Sequence, residues 1–593
     1  MNVFQVGRLA ALFLVVLALV ATAEEVALGQ SLAWAKRAGG TNFDQGEGIA
    51  VDGAGNSYVT GWFTGSATFG PGEANETTLT SAGSDVFVAK YGSNGALLWV
   101  RQASGSPETR GEAISVDSAG NSYVTGVFRF GITFHDGTML PGFASGDADL
   151  FVAKYDSSGN LVWARQAGAD FIPGVVDVGK HGRGIAVDGA GNSYVTGHFG
   201  TELGEGSFFA AMYGVNGALL WVRHAQNDGV NPSSATGAAI SVDGAGNSYA
   251  TGRFAGSITF GPGEANQTTL SSAGVYELFL AKYDSNGALL WARRAAGGAG
   301  ASVEGEGLAV DSAGNSHVTG NFAGSATFAP GELGQTTLMS SGVQPDIFVA
   351  KYAGNGSLLW AKQASGPGQD GGLSIAVDGG GSSYVTGGFE ISVIFGVGEA
   401  NETTLTNAVP IAGGPSDIFV AKYAGNGMLL WAKQASGPKT EAGRGIAVDG
   451  GGNSYVTGVF GDVSGSAGVP TSVTFGAGES NQTILTTAAG SGTEVFVAKY
   501  QSDSTPPPAA QINAVIATVN NATALSAGLK TSLNAKLNAA LAALTSGDVT
   551  TACGKLRDFL NQVRAQRGRQ IPRSLADALT SSVSAIRFAL GCS

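Results

Sequence analysis

Charged side chains are scarce in this sequence: Asp, Glu, Lys and Arg make up 13% of its 593 residues, whereas 43% are hydrophobic. This composition excludes an intrinsically disordered chain, which lacks the apolar surface needed to fold. Proline is also scarce, with 17 residues against 94 glycines, and the glycines show no three-residue period, which excludes collagen. A glycine-rich chain with these absences is predicted to be largely β.

Long apolar runs are few, and the one that stands out lies at the N-terminus. Residues 9–21, LAALFLVVLALVA, follow Arg8 and lead into the small-residue triplet Ala21-Thr22-Ala23. The run is too short to span a bilayer comfortably, and the pattern is typical of an export signal. We therefore predict a signal peptide at residues 1–23 and an exported protein without a membrane span, outside the cell, at its surface or in the periplasm.

Cysteine is nearly absent. Cys553 and Cys592 are the only two, and both lie in the last 41 residues. In an exported protein such a pair is more often a disulfide than a catalytic pair, so we predict a disulfide between them.

The net charge of −13 is unevenly distributed. The segment from Ala509 to the end has nine Lys or Arg against three Asp or Glu, which gives +6, and the 26–508 segment carries −18. An acidic surface repels phosphate backbones, so nucleic acid is not an expected partner. We expect a monomer.

The phrase GIAVDGAGNSYVTG, which begins at Gly48, occurs with small changes in seven copies, each followed by an FVAKY-like phrase and usually by ALLWVRQA. The repeated Asp stands at Asp52, Asp117, Asp188, Asp243, Asp311, Asp378 and Asp449. The mean spacing is about 66 residues, and every copy supplies four β-like segments separated by turn residues. Seven four-stranded units predict an all-β, seven-bladed β-propeller over residues 31–500.

The two ends of the repeat region complement each other. The last copy ends at Tyr500 without a fourth strand, whereas residues 31–38, SLAWAKRA, read as a fourth strand with no strand before it. We therefore predict that this N-terminal strand completes the seventh blade and leaves no open sheet edge.

The phrases GIAVDGAGNSYVTG, DVFVAKY and NGALLWVRQASG resemble the SBBP-type β-propeller repeats of secreted bacterial proteins, over roughly residues 31–500. The resemblance implies a seven-bladed propeller on an exported protein. It brings no common catalytic residues to carry over. The third copy departs from the pattern, with FAAMY at residues 209–213 and a shortened middle.

Beyond a proline-rich linker at residues 501–510 the period becomes helical. Leucines recur at three-to-four spacing from Leu525 to Leu544, and further apolar stripes follow. We predict a small all-α domain at 511–593, whose ACGKLRDFLNQVRAQRG and closing ALGC resemble the helical modules at the C-termini of other secreted multidomain bacterial proteins.

Most repeated polar motifs are predicted to be structural. The Asp-x-x-Gly-Asn turn offers too few oxygens for calcium and is expected to hold a tight hairpin. An acid two residues before the third-strand Phe, such as Asp85, is expected to pair with the Arg or Lys two residues after the repeated Trp, such as Arg101. A cation-gathering ring of these acids is the alternative.

The sequence offers no catalytic, metal or cofactor motif. The five histidines lack metal-ligand spacing, and no G-x-S-x-G or P-loop is present. His181 and His198 belong to one copy, the third, and incidental surface placement is the simpler interpretation of both.

One face of the predicted propeller carries the long connections, from second to third strands and from blade to blade. Five aromatics on or beside these loops belong to no repeated phrase: Trp62, Tyr276, Phe43, Phe143 and Phe171. Aromatics of this kind anchor proteins and sugars, although each could instead pin its own loop.

Two classes of function follow. The first is a secreted, non-catalytic binding or scaffolding propeller that contacts an extracellular protein or glycan. The alternative is an extracellular hydrolase or lyase with a site of non-repeated loop residues, and a structural cell-surface component is a third possibility. A cluster of histidines and carboxylates at the mouth of the central channel would favour the enzyme.

Overall fold

The computed structural model describes residues 29–590 and 592, apart from 106–107, 143–146, 168–170, 172–178, 201–205, 228–232, 464–469, 503–507 and 546–547. The predicted signal peptide lies outside the described residues. The chain divides into two compact units, a β unit at Gln30–Ser502 and a helical unit built from the residues after it.

The β unit repeats a set of four antiparallel strands seven times, in agreement with the repeated phrases. The first strands are β2 (Asn42–Val51), β6 (Thr109–Val116), β12 (Lys180–Val187), β17 (Ser234–Val242), β23 (Ser302–Val310), β29 (Asp370–Val377) and β35 (Thr440–Val448). The second strands are β3 (Ser57–Phe69), β7 (Ser122–Phe128), β13 (Ser193–Phe199), β18 (Ser248–Ala255), β24 (Ser316–Ala323), β30 (Ser383–Phe389) and β36 (Ser454–Gly461).

The outer half of each set follows the same order. The third strands are β4 (Thr77–Tyr91), β10 (Asp149–Tyr155), β14 (Ser207–Tyr213), β21 (Glu277–Tyr283), β27 (Asp346–Tyr352), β33 (Asp417–Tyr423) and β39 (Ser491–Ser502). The fourth strands are β5 (Leu97–Gly105), β11 (Leu161–Gln166), β15 (Leu219–His224), β22 (Leu289–Gly297), β28 (Leu358–Ser365), β34 (Leu429–Ala435) and, for the seventh set, β1 (Gln30–Gly40).

Strand β1 pairs with β39, as predicted from the complementary ends. Leu32 lies opposite Tyr500 and Arg37 opposite Phe496, in antiparallel register. Leu32 is fully buried, because alternate residues of this strand face the core of the seventh set.

Short hairpins tie neighbouring sets together. They are β8 (Gly131–Phe134) with β9 (Met139–Pro141), β19 (Ser257–Phe260) with β20 (Thr268–Ser271), β25 (Ser325–Phe328) with β26 (Thr336–Met339), β31 (Ser392–Phe395) with β32 (Thr403–Thr406), and β37 (Ser472–Phe475) with β38 (Thr483–Thr486). In the first set the hairpin is continuous with β3 and β4, and β16 (Gln226–Asn227) pairs with β19. Each hairpin lies against the end of the previous fourth strand, as β8 does on β5.

The repeated Asp turn is structural, as predicted. The Asp52 carboxylate accepts hydrogen bonds from the backbone N–H groups of Ala54 and Asn56 and from the Tyr58 hydroxyl at 3.1 Å. The same hydroxyl lies 3.0 Å from the carbonyl oxygen of Gly120 in the next set. The turn therefore holds its own hairpin and contacts the neighbouring set.

The expected pairing of Asp85 with Arg101 is wrong. Asp85 instead accepts a hydrogen bond from Gln102 at 2.6 Å, and Arg101 donates to backbone carbonyls of the next set. The reason is strand parity: Gln102 lies opposite Phe87, on the face that Asp85 shares, whereas Arg101 lies opposite Val88 on the other face.

The helical unit contains α1 (Pro508–Asn521), α2 (Ala527–Thr545), α3 (Val549–Gln566) and α4 (Arg573–Ala589) around one apolar core. Asp548 caps α3 by accepting a hydrogen bond from the Thr551 N–H at 2.9 Å. The predicted disulfide is confirmed, with Cys553 and Cys592 joined and their Cα atoms 5.6 Å apart.

Candidate functional site

Every first strand carries a β-bulge at the same place. In β2 the pairing with β3 shifts between Gly46 and Gly48, so that Glu47 is the extra residue. A bulge of this kind re-aims a side chain and recurs beside functional sites. The seven bulge residues are Glu47, Glu112, Arg183, Ala238, Glu306, Leu373 and Arg444. We call them the channel ring.

The channel ring lines a cavity of about 230 Å³ to which all seven first strands contribute. The first strands follow one another around it, and β35 of the seventh set lies beside β2 of the first. Three acids, two arginines and two apolar residues occupy equivalent backbone positions. The fold therefore does not dictate which side chain stands there.

Glu47 is the best-connected member of the channel ring. Its carboxylate accepts a hydrogen bond from the Trp62 indole at 3.2 Å and lies 3.5 Å from the Arg444 guanidinium. Burial raises the pKa of Glu47 to about 7, against the attraction of Arg444 and with a further contribution from Glu112. Burial, and next the nearby Glu304, also raise the pKa of Glu306.

Two residues before each bulge, a residue of the first strand lies directly opposite a residue of the second strand. These seven cross-strand pairs lie around one end of the cavity. The pairs are Gln45 with Trp62, Arg110 with Val127, His181 with His198, Thr236 with Arg253, Glu304 with Asn321, Gly371 with Gly388, and Ala442 with Val459. Sets one to five carry large polar or aromatic residues, whereas sets six and seven carry small or apolar ones. We call Trp62, Arg110, His181, His198, Arg253, Tyr276 and Glu304 the mouth crescent.

At one end of the mouth crescent, Trp62 stacks with a guanidinium. The Arg110 guanidinium carbon lies 5.2 Å from the centre of the Trp62 ring. Glu108 joins Arg110 and Arg129 by ion pairs of 3.2 and 3.1 Å. The Arg110 Nε is nevertheless buried without a hydrogen-bond partner.

In the middle, two imidazoles stack in parallel. The rings of His181 and His198 have centres 4.6 Å apart and planes 5° apart. The Nε2 of His181 and the Nδ1 of His198 are buried and have no hydrogen-bond partner. Burial, followed by the charge of Arg183, lowers the pKa of His181 to about 4. Burial and then His181 itself lower the pKa of His198 to about 3.

At the other end, Arg253 lies over Tyr276 with 4.7 Å between its guanidinium carbon and the ring centre. Arg253 also forms an ion pair with Glu304, which accepts a hydrogen bond from the Ser302 hydroxyl at 2.9 Å. Tyr276 bridges to Ser302 in the next set, so the aromatic ring is held by backbone pairing.

The five aromatics predicted as anchors fall in different environments. Trp62 and Tyr276 are half-buried members of the mouth crescent. Phe43 is half-buried and lies against Gly492, so closely that a Cβ atom added to Gly492 would come within 2.8 Å of the Phe43 ring. Phe171 is buried at 3% exposure and packs edge-on against Phe209, with ring centres 5.2 Å apart. Phe143 lies outside the described residues.

Phe171 has a counterpart in other sets. There, the hairpin supplies a ring that packs on the third-strand Phe, as Phe69 does on Phe87 at 4.9 Å. The third set has only a short link between β13 and β14, and Phe171 supplies that ring from the preceding connection. Its position is that of a packing residue.

Sequence reasoning missed most of the site. It identified Trp62 and Tyr276 and noted both histidines, but it neither paired the histidines nor found the channel ring. The sequence does contain one signal for the channel ring. The residue directly before each GIAVD-like phrase differs from copy to copy, although the stretch around it is otherwise nearly constant.

The described residues contain neither a membrane-crossing helix nor a cluster of metal ligands. No helix there has the length and apolar character that crossing a membrane requires. Within the same residues, no three His, Cys, Asp or Glu side chains are grouped as metal ligands would be.

Residues 33–65, 98–127 and 290–321 match the SBBP family, described as a beta-propeller repeat, and residues 509–588 match the FIMAH domain. The β unit thus contains β-propeller repeats of the SBBP type, and a small helical region follows them.

An uncharacterized WD repeat-containing protein of Acanthamoeba polyphaga mimivirus is 23% identical over 489 residues, which cover 72% of this chain. The match spans 31% of that protein's length. Among solved structures, an ulvan lyase of a new polysaccharide lyase family has a TM-score of 0.32 at 8% identity, covering 77% of this chain and 97% of that one. A glucose dehydrogenase has a TM-score of 0.26 at 12% identity, covering 78% and 99%.

Proposed function

We propose that this protein is an exported, seven-bladed β-propeller that binds an extracellular protein or glycan through the mouth crescent without catalysing a reaction. In this proposal the seven four-stranded sets are the blades, residues 1–23 are the export signal, and residues 501–510 link the propeller to the helical domain. The protein acts as a monomer and does not bind nucleic acid.

The observation that carries this proposal is a comparison within the chain. Sets six and seven place Gly371 opposite Gly388 and Ala442 opposite Val459, on the same backbone pairing that carries the mouth crescent elsewhere. The scaffold therefore accepts small side chains at these positions. Trp62, His198 and Arg253 are larger and more polar than packing requires, which favours a role in contacting a partner.

The imidazole pKa values support binding over catalysis. A general base works best when its pKa lies near the operating pH. His181 and His198, with pKa values of about 4 and 3, are neutral and weakly basic at pH 7. Neutral rings are suited to hydrogen bonding with a ligand.

One observation favours the hydrolase or lyase alternative. Glu47 has a pKa of about 7 and lies at the inner edge of the mouth crescent, where a carboxylate of that pKa can exchange protons. If the alternative is correct, the protein cleaves a polysaccharide in a substrate screen and Glu47→Gln abolishes the cleavage.

The test of the binding proposal is a glycan array and a pull-down with the mature protein, repeated with Trp62→Ala and Tyr276→Ala. We expect both variants to lose the captured ligand while their melting temperatures change little. Leu333→Ala is the matched control, because Leu333 is 98% exposed and lies outside the mouth crescent. Unchanged binding by both variants would refute the proposed site, and a large drop in melting temperature with binding intact would assign the aromatics to packing.

A further inference from the structure

We propose that the mouth crescent binds an acidic polysaccharide, with a carboxylate or sulfate group of the sugar chain held beside the histidine pair. This inference rests on the proposed binding function and adds the chemical class of the ligand.

Three arginines at the rim and Arg183 of the channel ring lie near the histidine pair. Arg110, Arg129 and Arg183 are close enough to lower the pKa of His181, and Arg253 acts on His198 in the same way. Two carboxylates, Glu108 and Glu304, are paired with members of this group. Arg183 is exposed and makes no ion pair with any described residue. At the rim, three arginines therefore outnumber two carboxylates by one, and Arg183 of the channel ring adds a further positive charge beside His181, although residues 26–508 carry a net charge of −18.

The buried nitrogen atoms lack an acceptor. The Nε of Arg110 is a donor without a partner, and the unpartnered nitrogens of His181 and His198 donate in the appropriate tautomers. An unsatisfied buried polar group costs roughly 1–3 kcal/mol, and an oxygen of a bound anion would remove that cost. Charge-assisted hydrogen bonds to a carboxylate or sulfate are the strongest available here.

The aromatic ends of the crescent are suited to a sugar chain. Trp62 and Tyr276 lie on either side of the histidine pair, in sets one and four, and each is backed by an arginine. An aromatic face takes an apolar sugar face while the guanidinium contacts the charged substituents. Because its members come from sets one to five, the crescent is suited to an extended ligand.

The overall charge favours a narrow chain over a folded acidic protein. An acidic protein would lie over much of the surrounding surface and meet its negative charge. A polysaccharide touches the mouth alone and meets the positive rim. The acidic members of the channel ring, such as Glu112, lie one step further inside and keep the anion at the rim.

The test uses the full mature chain and four probes: polygalacturonate oligomers, sulfated galactan oligomers, neutral cello-oligosaccharides and polyglutamate. Titration calorimetry at low and high salt measures each affinity. We expect binding of the polygalacturonate, the sulfated galactan or both, which separates carboxylate from sulfate, and weaker binding at high salt.

Arg110→Gln and Arg253→Gln should each weaken that binding at least tenfold. Lys362→Ala is the matched control, since it removes one positive charge from a surface ion pair elsewhere, and should leave affinity unchanged. If Arg110→Gln does not fold, Arg253→Gln alone decides the outcome.

The remaining outcomes separate the two proposals. Neutral oligosaccharides that bind as well as acidic ones, with Trp62 required and the arginines dispensable, would overturn this inference and keep the proposed function. Polyglutamate binding equal to that of the acidic sugars would overturn it in favour of an acidic protein. Binding of none of the four probes overturns it as well, and a negative glycan array and pull-down would then remove the proposed function too.

Discussion

The carboxyl groups of Asp417 and Glu441 face each other, both buried, at the junction of the sixth and seventh sets. The Asp417 carboxylate accepts hydrogen bonds from the N–H groups of Ala408 at 2.9 Å and Gly437 at 3.3 Å, whereas Oε2 of Glu441 is buried without a hydrogen-bond partner. Burial, and next the neighbouring Asp417, raise the pKa of Glu441 to about 10. Burial raises the pKa of Asp417 to about 6. Of the two carboxyl groups, Glu441 is therefore the one that is protonated at pH 7.

The residues at the positions equivalent to Asp417 and Glu441 differ from one junction between sets to the next. Asp346 and Asp370 form a second buried carboxyl pair, and burial raises the pKa of Asp370 to about 8. Glu494 and Asp44 form a third, in which Arg37 pairs with Glu494. At the junction of the first and second sets, the residue equivalent to Glu441 is Thr109. Among the residues that the structure describes, such acid pairs occur at three consecutive junctions.

We predict that the β unit loses stability as pH rises from about 5 to 10. The pKa values of Glu441 and Asp370 are higher in the folded than in the unfolded state, so their stabilising contribution is complete at low pH. The contribution is lost as pH rises towards the folded values, which are about 8 for Asp370 and about 10 for Glu441. Chemical denaturation followed by tryptophan fluorescence from pH 5 to 10 measures the slope.

Glu441→Gln should flatten this pH dependence, because the amide has a similar shape and does not titrate. Asp85→Asn is the matched control at a junction without a carboxyl pair and should leave the slope unchanged. A slope of the same size in Glu441→Gln would contradict the assignment.

Deletion of residues 31–40 should abolish cooperative unfolding of the β unit. The deletion removes the strand that pairs with β39 and exposes an unpaired edge in the seventh set. Scanning calorimetry measures the transition, and hydrogen exchange should show loss of protection in residues 495–500. A truncated protein that melts like the full-length chain would show that closure by β1 is dispensable.

Phe171→Ala should destabilise the β unit by about 3 kcal/mol, because it removes a buried ring from the core of the third set. Phe134→Ala is the matched comparison, since its ring packs on Phe151 in the second set, and a similar loss is expected. Denaturant titration gives both values. Unchanged stability together with lost ligand binding would instead make Phe171 a contact residue.

Reduction of the disulfide should destabilise the helical unit alone, by about 3–4 kcal/mol for a loop of this length. All eight tryptophans precede residue 432, so their fluorescence follows the β unit, whereas circular dichroism at the helix band follows the helical unit. We expect reduction, or the double variant Cys553→Ser with Cys592→Ser, to lower the midpoint of the transition followed by circular dichroism. The transition followed by fluorescence should stay where it is. A shift of the fluorescence transition would contradict this independence.

The repeated phrases allowed the strands to be predicted, because alternation and turn residues are local properties of the chain. Pairing of β1 with β39 was predictable from the complementary ends. The partner of Asp85 was not, because register decides which of Arg101 and Gln102 shares its face. The histidine pair and the channel ring could not be predicted for the same reason. A bulge depends on the partner strand, and sequence spacing does not reveal where the pairing of two strands shifts by one residue.

Pairing of Leu32 with Tyr500 also has a consequence for biosynthesis. The strand made first can find its neighbour only after the last repeat has been made, more than 460 residues later. Until then, residues 30–37 of the nascent chain have no strand partner, since β3 pairs only with residues 38–40. Any earlier fourth-strand position is a competing place for this segment to pair. Correct folding of this chain therefore depends on protecting its first strand until synthesis is complete.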